Sequence, residues 1–205
     1  SGAAFELPNG DITPSDMYLA GNVREKLRQA IAAKEQGNTA MDRNIEALRK
    51  VVPEDVPYFK IEVQLGASWI PTSVYEDYIT HMLGMNGKDG VSVTYSFGRW
   101  KADIDTRLNN RSEAKTGFGT AVYPFSKLVN AALSNQAVTI RRSNPDGSTY
   151  VAEEETQEVN NKISEIRQKF GEWLWSDPER RITAETEYNE ARNAYATPNY
   201  DGSFM

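Results

Sequence analysis

Residues 137–152 read AVTIRRSNPDGSTYVA and carry the clearest structural signal in the chain. Two runs containing β-branched residues flank Asn-Pro-Asp-Gly-Ser, a cluster of turn-forming residues that closes a β-hairpin. Apolar residues at helical spacing, including Val159, Ile166 and Phe170, then predict a long helix over 154–175. A hairpin followed directly by a long helix, without regular alternation of strands and helices, favours an α+β fold.

The same kinds of pattern predict the other elements, before and after this stretch. Periodicity and turn residues predict helices over 15–36 and 39–52, a strand over 60–66, a helix over 72–83, a hairpin over 91–104, a loop over 105–120, a helix over 124–133 and a last helix from 178. We therefore predict an α+β module with a helical hairpin, a small, mostly antiparallel sheet containing two hairpins, and long C-terminal helices. Residues 1–205 are expected to be a single module excised from a larger protein, with tail-like segments over 1–14 and 196–205.

Composition excludes several functional classes. The chain has no cysteine, which rules out disulfides, cysteine-ligated zinc and a thiol nucleophile. With 23 Lys and Arg against 29 Asp and Glu the net charge is −6, so any DNA contact must be local. Apolar runs are too short to cross a bilayer and no signal peptide is evident, so we expect a cytoplasmic protein without a membrane partner.

Motifs of common enzymes are also missing. His81 is the single histidine, and no G-x-S-x-G elbow, P-loop or dinucleotide fingerprint accompanies it. We therefore predict no catalytic residue, no metal ligand and no cofactor for this chain. Asp55 followed by Glu62-Val63-Gln64 is loosely similar to the Asp and Glu-x-Lys arrangement of magnesium nucleases, but the lysine is absent.

The charge of the middle of the chain differs from that of the whole. Between residues 86 and 152, nine Lys and Arg stand against five Asp and Glu, a local charge of +4. Aromatic residues are interleaved with these cations, a mixture that can hold backbone phosphate and stack bases. The candidate DNA-binding residues are Arg99, Lys101, Arg107, Arg111, Lys115, Arg141 and Arg142. The competing interpretation is that these cations are solvated charges on two hairpins.

Two tryptophans close the long predicted helix. Trp173 and Trp175 stand about 200° apart around a helix, so they cannot share one face. We expect one of them to meet a second surface, either the last helix of the chain or a neighbouring domain. They are therefore candidate interdomain contacts.

Three stretches together resemble a known family. Residues 21–27 (GNVREKL), 61–71 (IEVQLGASWIP) and 170–181 (FGEWLWSDPERR), with Tyr-Asp-Gly at 200–202, look like the segment that joins the adenine-methylase part to the helicase part of very large DNA methylase/helicase proteins. Such proteins occur in phages, plasmids and integrated conjugative elements and include the antirestriction type. The resemblance runs from about Met17 to Gly202.

This resemblance implies a parent protein that is an adenine-specific DNA methyltransferase and an ATP-dependent helicase. S-adenosylmethionine, ATP and magnesium would then belong to the flanking methylase and helicase domains, which would be partners of this segment together with DNA. The chain contains neither an Asp/Asn-Pro-Pro-Tyr motif nor a P-loop, so no catalytic residue carries over from the family.

Three hypotheses follow for function. The first is a non-catalytic accessory module that contacts or positions DNA between methylase and motor. The alternative is a purely architectural interdomain spacer or protein-interaction module, in which Trp173 or Trp175 docks on a neighbour. A magnesium-dependent nuclease that depends on Glu62 is the third and weakest hypothesis.

Overall fold

Helices and short antiparallel strands make up the computed structural model, which describes residues 4–198. The helices are α1 (Ser15–Tyr18), α2 (Val23–Glu35), α3 (Met41–Val51), α4 (Thr72–Met82), α5 (Phe125–Leu133), α6 (Glu153–Ser176) and α7 (Pro178–Arg192). The strands are β1 (Ala4–Glu6), β2 (Ile12–Pro14), β3 (Gly21–Asn22), β4 (Val91–Ser96), β5 (Arg99–Ile104), β6 (Arg141–Ser143), β7 (Thr149–Val151) and β8 (Tyr195–Ala196). The predicted α+β class is confirmed, as are the helical hairpin α2–α3 and the long C-terminal helices.

The strands do not join into one sheet. They form four separate antiparallel pairs, β1–β2, β3–β8, β4–β5 and β6–β7. The pairs β4–β5 and β6–β7 are the two hairpins that the sequence predicts. Among residues 4–198, no helix combines the length and hydropathy that a bilayer crossing requires.

The chain divides into two compact units. Unit 1 contains the residues up to Ile61 and those from Glu185 onward, and unit 2 is Glu62–Ala184. Helix α7 contributes its first residues to unit 2 and the remainder to unit 1. That residues 1–205 belong to a single module of a larger protein stays a prediction.

Unit 1 is built on the helical hairpin α2–α3. Its core also contains Phe5 of β1, which is only 5% exposed and stacks on Tyr18 with ring centroids 4.9 Å apart. Residues 4–14, expected to be a tail, therefore form the β1–β2 hairpin, because burying Phe5 holds this segment on the core. Residues 199–205, which include most of the second predicted tail and the whole Tyr-Asp-Gly motif, lie outside the described residues.

The first predicted helix is divided in two. Gly21 adopts a φ of +73° and begins the short strand β3, which separates α1 from α2. Helix α2 then begins after Asn22, whose side chain accepts a hydrogen bond from the Glu25 N–H at 3.0 Å. This cap fixes the start of the helix at Val23 rather than near Ser15.

Unit 2 has its core between α4, α5, α6 and the β4–β5 pair. The large side chains buried there include Tyr75, Tyr78, Phe125, Leu128, Ile163, Ile166 and Phe170. One face of β4–β5 joins this core through Val91, Val93 and Ala102. The core therefore supports one face of the β4–β5 hairpin.

The strand predicted over 60–66 does not form. A single 3-10 turn, Tyr58–Lys60, is followed by irregular backbone that reaches Gly66. The Gly66 N–H donates to the Tyr75 hydroxyl at 3.1 Å, and the Gly66 carbonyl accepts the Trp100 indole N–H at 2.7 Å. Because side chains satisfy these backbone groups, this part of the segment needs no neighbouring strand.

The predicted loop over 105–120 contains two short helical segments. They are a 3-10 helix over Thr106–Asn110 and a π-helix over Glu113–Phe118. Asp105 caps the first by accepting the Arg107 N–H at 2.9 Å, and Ala114 of the second is buried in the core. Capping and burial thus order a stretch whose polar composition predicts a loop.

Candidate nucleic-acid interface

The β4–β5 hairpin turns through two residues, Phe97 and Gly98. Both have positive φ, +49° and +74°, as a two-residue hairpin turn of type I′ requires. Behind the turn, Tyr95 and Trp100 face each other across the strands with ring centroids 4.4 Å apart. The tip therefore lies next to a pair of aromatic rings in contact, tilted by 38° to each other.

Side chains from α4 and α5 and the backbone carbonyl of Gly66 hold the base of this hairpin. The Trp100 ring lies edge-on to Tyr75 at 4.8 Å, in addition to its hydrogen bond to Gly66. The Asn130 side chain of α5 accepts the Ala102 N–H at 2.9 Å and donates to the Ala102 carbonyl at 2.8 Å. These contacts fix the outer edge of β5 and leave the tip projecting from a rigid base.

The β6–β7 hairpin is exposed along both strands. Helix α6 anchors the segment that leads into it, since Thr156 Oγ1 accepts the Ile140 N–H at 2.9 Å. Asn160 accepts the Val138 N–H at 3.0 Å and donates to its carbonyl at 2.7 Å. A two-stranded ribbon with no buried face is marginal by itself, so these anchors at its base set its direction.

Four of the seven predicted DNA-binding cations are engaged by nearby carboxylates. The pairs are Lys101–Asp103 at 2.6 Å, Arg107–Asp105 at 2.5 Å, Arg111–Glu113 at 3.8 Å and Arg142–Glu155 at 3.0 Å. Arg111 also donates to the Leu83 carbonyl at 3.0 Å. The Arg107 side chain lowers the pKa of Asp105 to about 2, mainly by hydrogen bonding, so this pair stays ionised at neutral pH.

The other three cations are Arg99, Lys115 and Arg141. All three are exposed, and in the described part of the chain none has a carboxylate within ion-pair distance. Arg99 lies on β5 beside the hairpin turn, Lys115 on the π-helix and Arg141 on β6. The seven cations therefore lie on the two hairpins and on the segment between them, and four of the seven are paired with carboxylates.

The tryptophans at the end of α6 contact the core of unit 2. Trp173 is 9% exposed, and Trp175 is partly buried against the same cluster. The Arg180 guanidinium of α7 lies 4.2 Å above the Trp173 ring. The expectation that one tryptophan meets a second surface agrees with this contact between Trp173 and α7, the last helix. A contact of either tryptophan with a neighbouring domain stays a prediction.

A cavity of about 620 Å³ opens beside Trp173. His81, Lys169 and Arg180 supply nitrogen groups to its wall, and burial followed by the Arg180 charge lowers the pKa of His81. Arg180 donates to the Trp173 carbonyl at 2.9 Å, and Lys169 pairs with Glu165 at 2.6 Å. The two strong cations of this cavity therefore already have partners within unit 2.

The residues of the nuclease hypothesis show no catalytic arrangement. Asp55 pairs with Arg24 at 2.7 Å, and Glu62 is exposed on irregular backbone. Across residues 4–198, no group of three or more His, Asp and Glu side chains could hold a metal ion.

One residue that the candidate set omits is Phe97. Its side chain is fully exposed, at 104% of the reference value, although it is among the most apolar residue types. The sequence could have pointed to Phe97, because Phe-Gly occupies a two-residue turn where Asn-Gly or Asp-Gly is usual.

Comparison with known proteins gives a family. A family model described as "Domain of unknown function (DUF8437)" matches residues 64–194. No curated protein and no solved structure matches the chain.

Proposed function

The chain belongs to the DUF8437 family, and we propose that its unit 2 is a non-catalytic module that binds DNA through the hairpins β4–β5 and β6–β7. In a methylase/helicase protein of the kind that the sequence resembles, this contact would position DNA between methylase and motor, in the cytoplasm. S-adenosylmethionine, ATP and magnesium would then be bound by the flanking domains.

One observation carries this proposal, namely that both hairpins present the same pair of groups. Each has an exposed arginine without a carboxylate partner among residues 4–198, Arg99 on β5 and Arg141 on β6. Each also has a half-exposed tyrosine, Tyr95 at 44% and Tyr150 at 49%. A guanidinium recognises phosphate and an aromatic ring stacks on a base, so the pair suits nucleic acid.

The four ion pairs favour the alternative, an architectural spacer or protein-interaction module. Their carboxylates neutralise Lys101, Arg107, Arg111 and Arg142 locally, which reduces the charge available to phosphate. Exposed pairs of this type contribute little to stability, so they give no direct support for a structural role. They leave Arg99 and Arg141 as the hairpin arginines without a carboxylate partner among residues 4–198. The two hypotheses therefore differ in what happens when Arg99 and Arg141 are removed.

We expect the double variant Arg99→Ala/Arg141→Ala to bind DNA at least tenfold more weakly than the unmodified chain. Loss of two phosphate contacts should also reduce the slope of log K against log salt by about 2 for duplex DNA, since each contact contributes about 0.9. Fluorescence anisotropy with labelled duplex and single-stranded DNA at several low salt concentrations measures both quantities.

The matched control is Lys101→Ala/Arg107→Ala, which removes the same charge from cations already paired at 2.6 and 2.5 Å. This control should change the affinity less than threefold. No salt-sensitive binding by the unmodified chain up to roughly tens of micromolar would favour the spacer. Equal losses in the two double variants would contradict the assignment of the phosphate contacts to Arg99 and Arg141.

A further inference from the structure

The conformation of Phe97 is costly, and no contact among residues 4–198 explains it. A bulky residue with a φ of +49° occupies a region that L-amino acids other than Gly, Asn and Asp rarely adopt. Its ring is fully exposed, so burial does not compensate for this conformation. Strain held at a rigid, exposed position is characteristic of a binding residue.

The surroundings of Phe97 hold its backbone in place. Gly98 completes the two-residue turn, and the Tyr95–Trp100 pair, with ring centroids 4.4 Å apart, lies directly behind it. Trp100 is in turn bonded to the Gly66 carbonyl at 2.7 Å. Little backbone freedom of the turn remains to be lost when the tip meets a ligand, which favours binding by an exposed ring at this position.

The charge next to the ring indicates the kind of ligand. Arg99 lies across the strands from Ser96, at the first pair below the turn, and has no carboxylate partner in the described residues. A flat apolar ring beside an uncompensated guanidinium matches a base beside its phosphate. A hydrophobic pocket of a protein would match the ring but would leave the guanidinium without a counter-charge.

We propose that Phe97 stacks on an unpaired base of single-stranded DNA while Arg99 contacts a neighbouring phosphate. This inference rests on the proposed DNA-binding function and specifies single-stranded DNA as the ligand of Phe97. In a duplex the base faces are covered by their neighbours, so the ring can stack only where the strand is open. Stacking of this kind accepts any base, so no sequence preference is expected.

The test uses Phe97→Asn, which creates the Asn-Gly pair that a type I′ turn favours and so preserves the hairpin. In the whole chain this variant should keep or raise the melting temperature while its affinity for a single-stranded oligonucleotide falls about tenfold or more. Its affinity for duplex DNA should stay within about twofold. Phe97→Trp should retain binding to the single strand, since it keeps an aromatic face.

An oligonucleotide carrying 2-aminopurine reports stacking directly. The unmodified chain should change the fluorescence of this base analogue, and Phe97→Asn should not. The control is Phe59→Ala, which removes an exposed phenylalanine of unit 1 and should behave like the unmodified chain.

Two results overturn the stacking inference while leaving the proposed function standing. In the first, Phe97→Asn binds the single strand as the unmodified chain does, although Arg99→Ala/Arg141→Ala still weakens binding. In the second, Phe97→Asn weakens duplex and single-strand binding equally. If the unmodified chain binds neither form of DNA, the stacking inference and the proposed function fail together.

Discussion

Gly66→Ala should destabilise unit 2 by about 3 kcal/mol or more. A Cβ added at Gly66 would lie 2.2 Å from the Leu133 carbonyl oxygen, and the φ of +89° is strained for alanine in any case. The backbone cannot shift to relieve this contact without breaking the hydrogen bonds of Gly66 to Tyr75 and Trp100. Thermal unfolding should show a melting temperature roughly 6–12 °C lower.

The control is Gly87→Ala. No atom lies within 4 Å of a Cβ built there, and its φ lies outside the left-handed region. This variant should melt within about 2 °C of the unmodified chain. Equal melting temperatures for Gly66→Ala and Gly87→Ala would contradict the close approach of the 62–66 segment to the end of α5.

Asn160→Ala should cost about 2–4 kcal/mol, because it leaves both the N–H and the carbonyl of Val138 without their partner. The side chain also donates to the Thr156 carbonyl at 2.8 Å, which holds its amide in place. We expect the lost hydrogen bonds to make hydrogen exchange at the Val138 amide faster, as measured by NMR. This exchange should occur through local opening, without unfolding of the rest of the protein.

The neighbouring Asn161 gives the matched comparison, since it is exposed on the same helix. Asn161→Ala should leave both the stability and the exchange rate at Val138 near their original values. If Asn160→Ala behaves in the same way as Asn161→Ala, the side-chain amide does not anchor the β6–β7 hairpin.

Asn160 belongs to a recurring arrangement. Asn130 on α5 makes the same pair of hydrogen bonds to Ala102, and Asn189 on α7 makes them to Val56 within unit 1. In each case the amide also donates to the carbonyl four residues earlier in its own helix. A side-chain amide thus takes the place of a neighbouring strand along an edge of extended backbone that has none.

The elements predicted correctly are those whose signals are local. The two hairpins carry their turn residues within the loop, and α6 carries its apolar stripe along its own length. The segment over 60–66 has the alternation of a strand, but its backbone partners at Gly66 are Tyr75 and Trp100, which only the folded chain brings near. The asparagine arrangement depends in the same way on contacts between distant residues.

Three of the four ion pairs of the candidate interface have a local signal in the sequence. Lys101 and Asp103 are two residues apart on one strand, so their side chains leave the same face of β5. Arg107 with Asp105 and Arg111 with Glu113 have the same spacing. Net charge over residues 86–152 does not register this proximity, so it overstates the number of cations open to phosphate.

The most direct measurement of the central claim is an NMR titration of the whole chain with single-stranded and duplex DNA at low salt. We predict salt-sensitive amide shifts concentrated in β4–β5 and β6–β7, with the largest changes at Phe97, Arg99 and Arg141. Shifts that avoid both hairpins, or no shifts at DNA concentrations that suffice for ordinary non-specific binding, would contradict it.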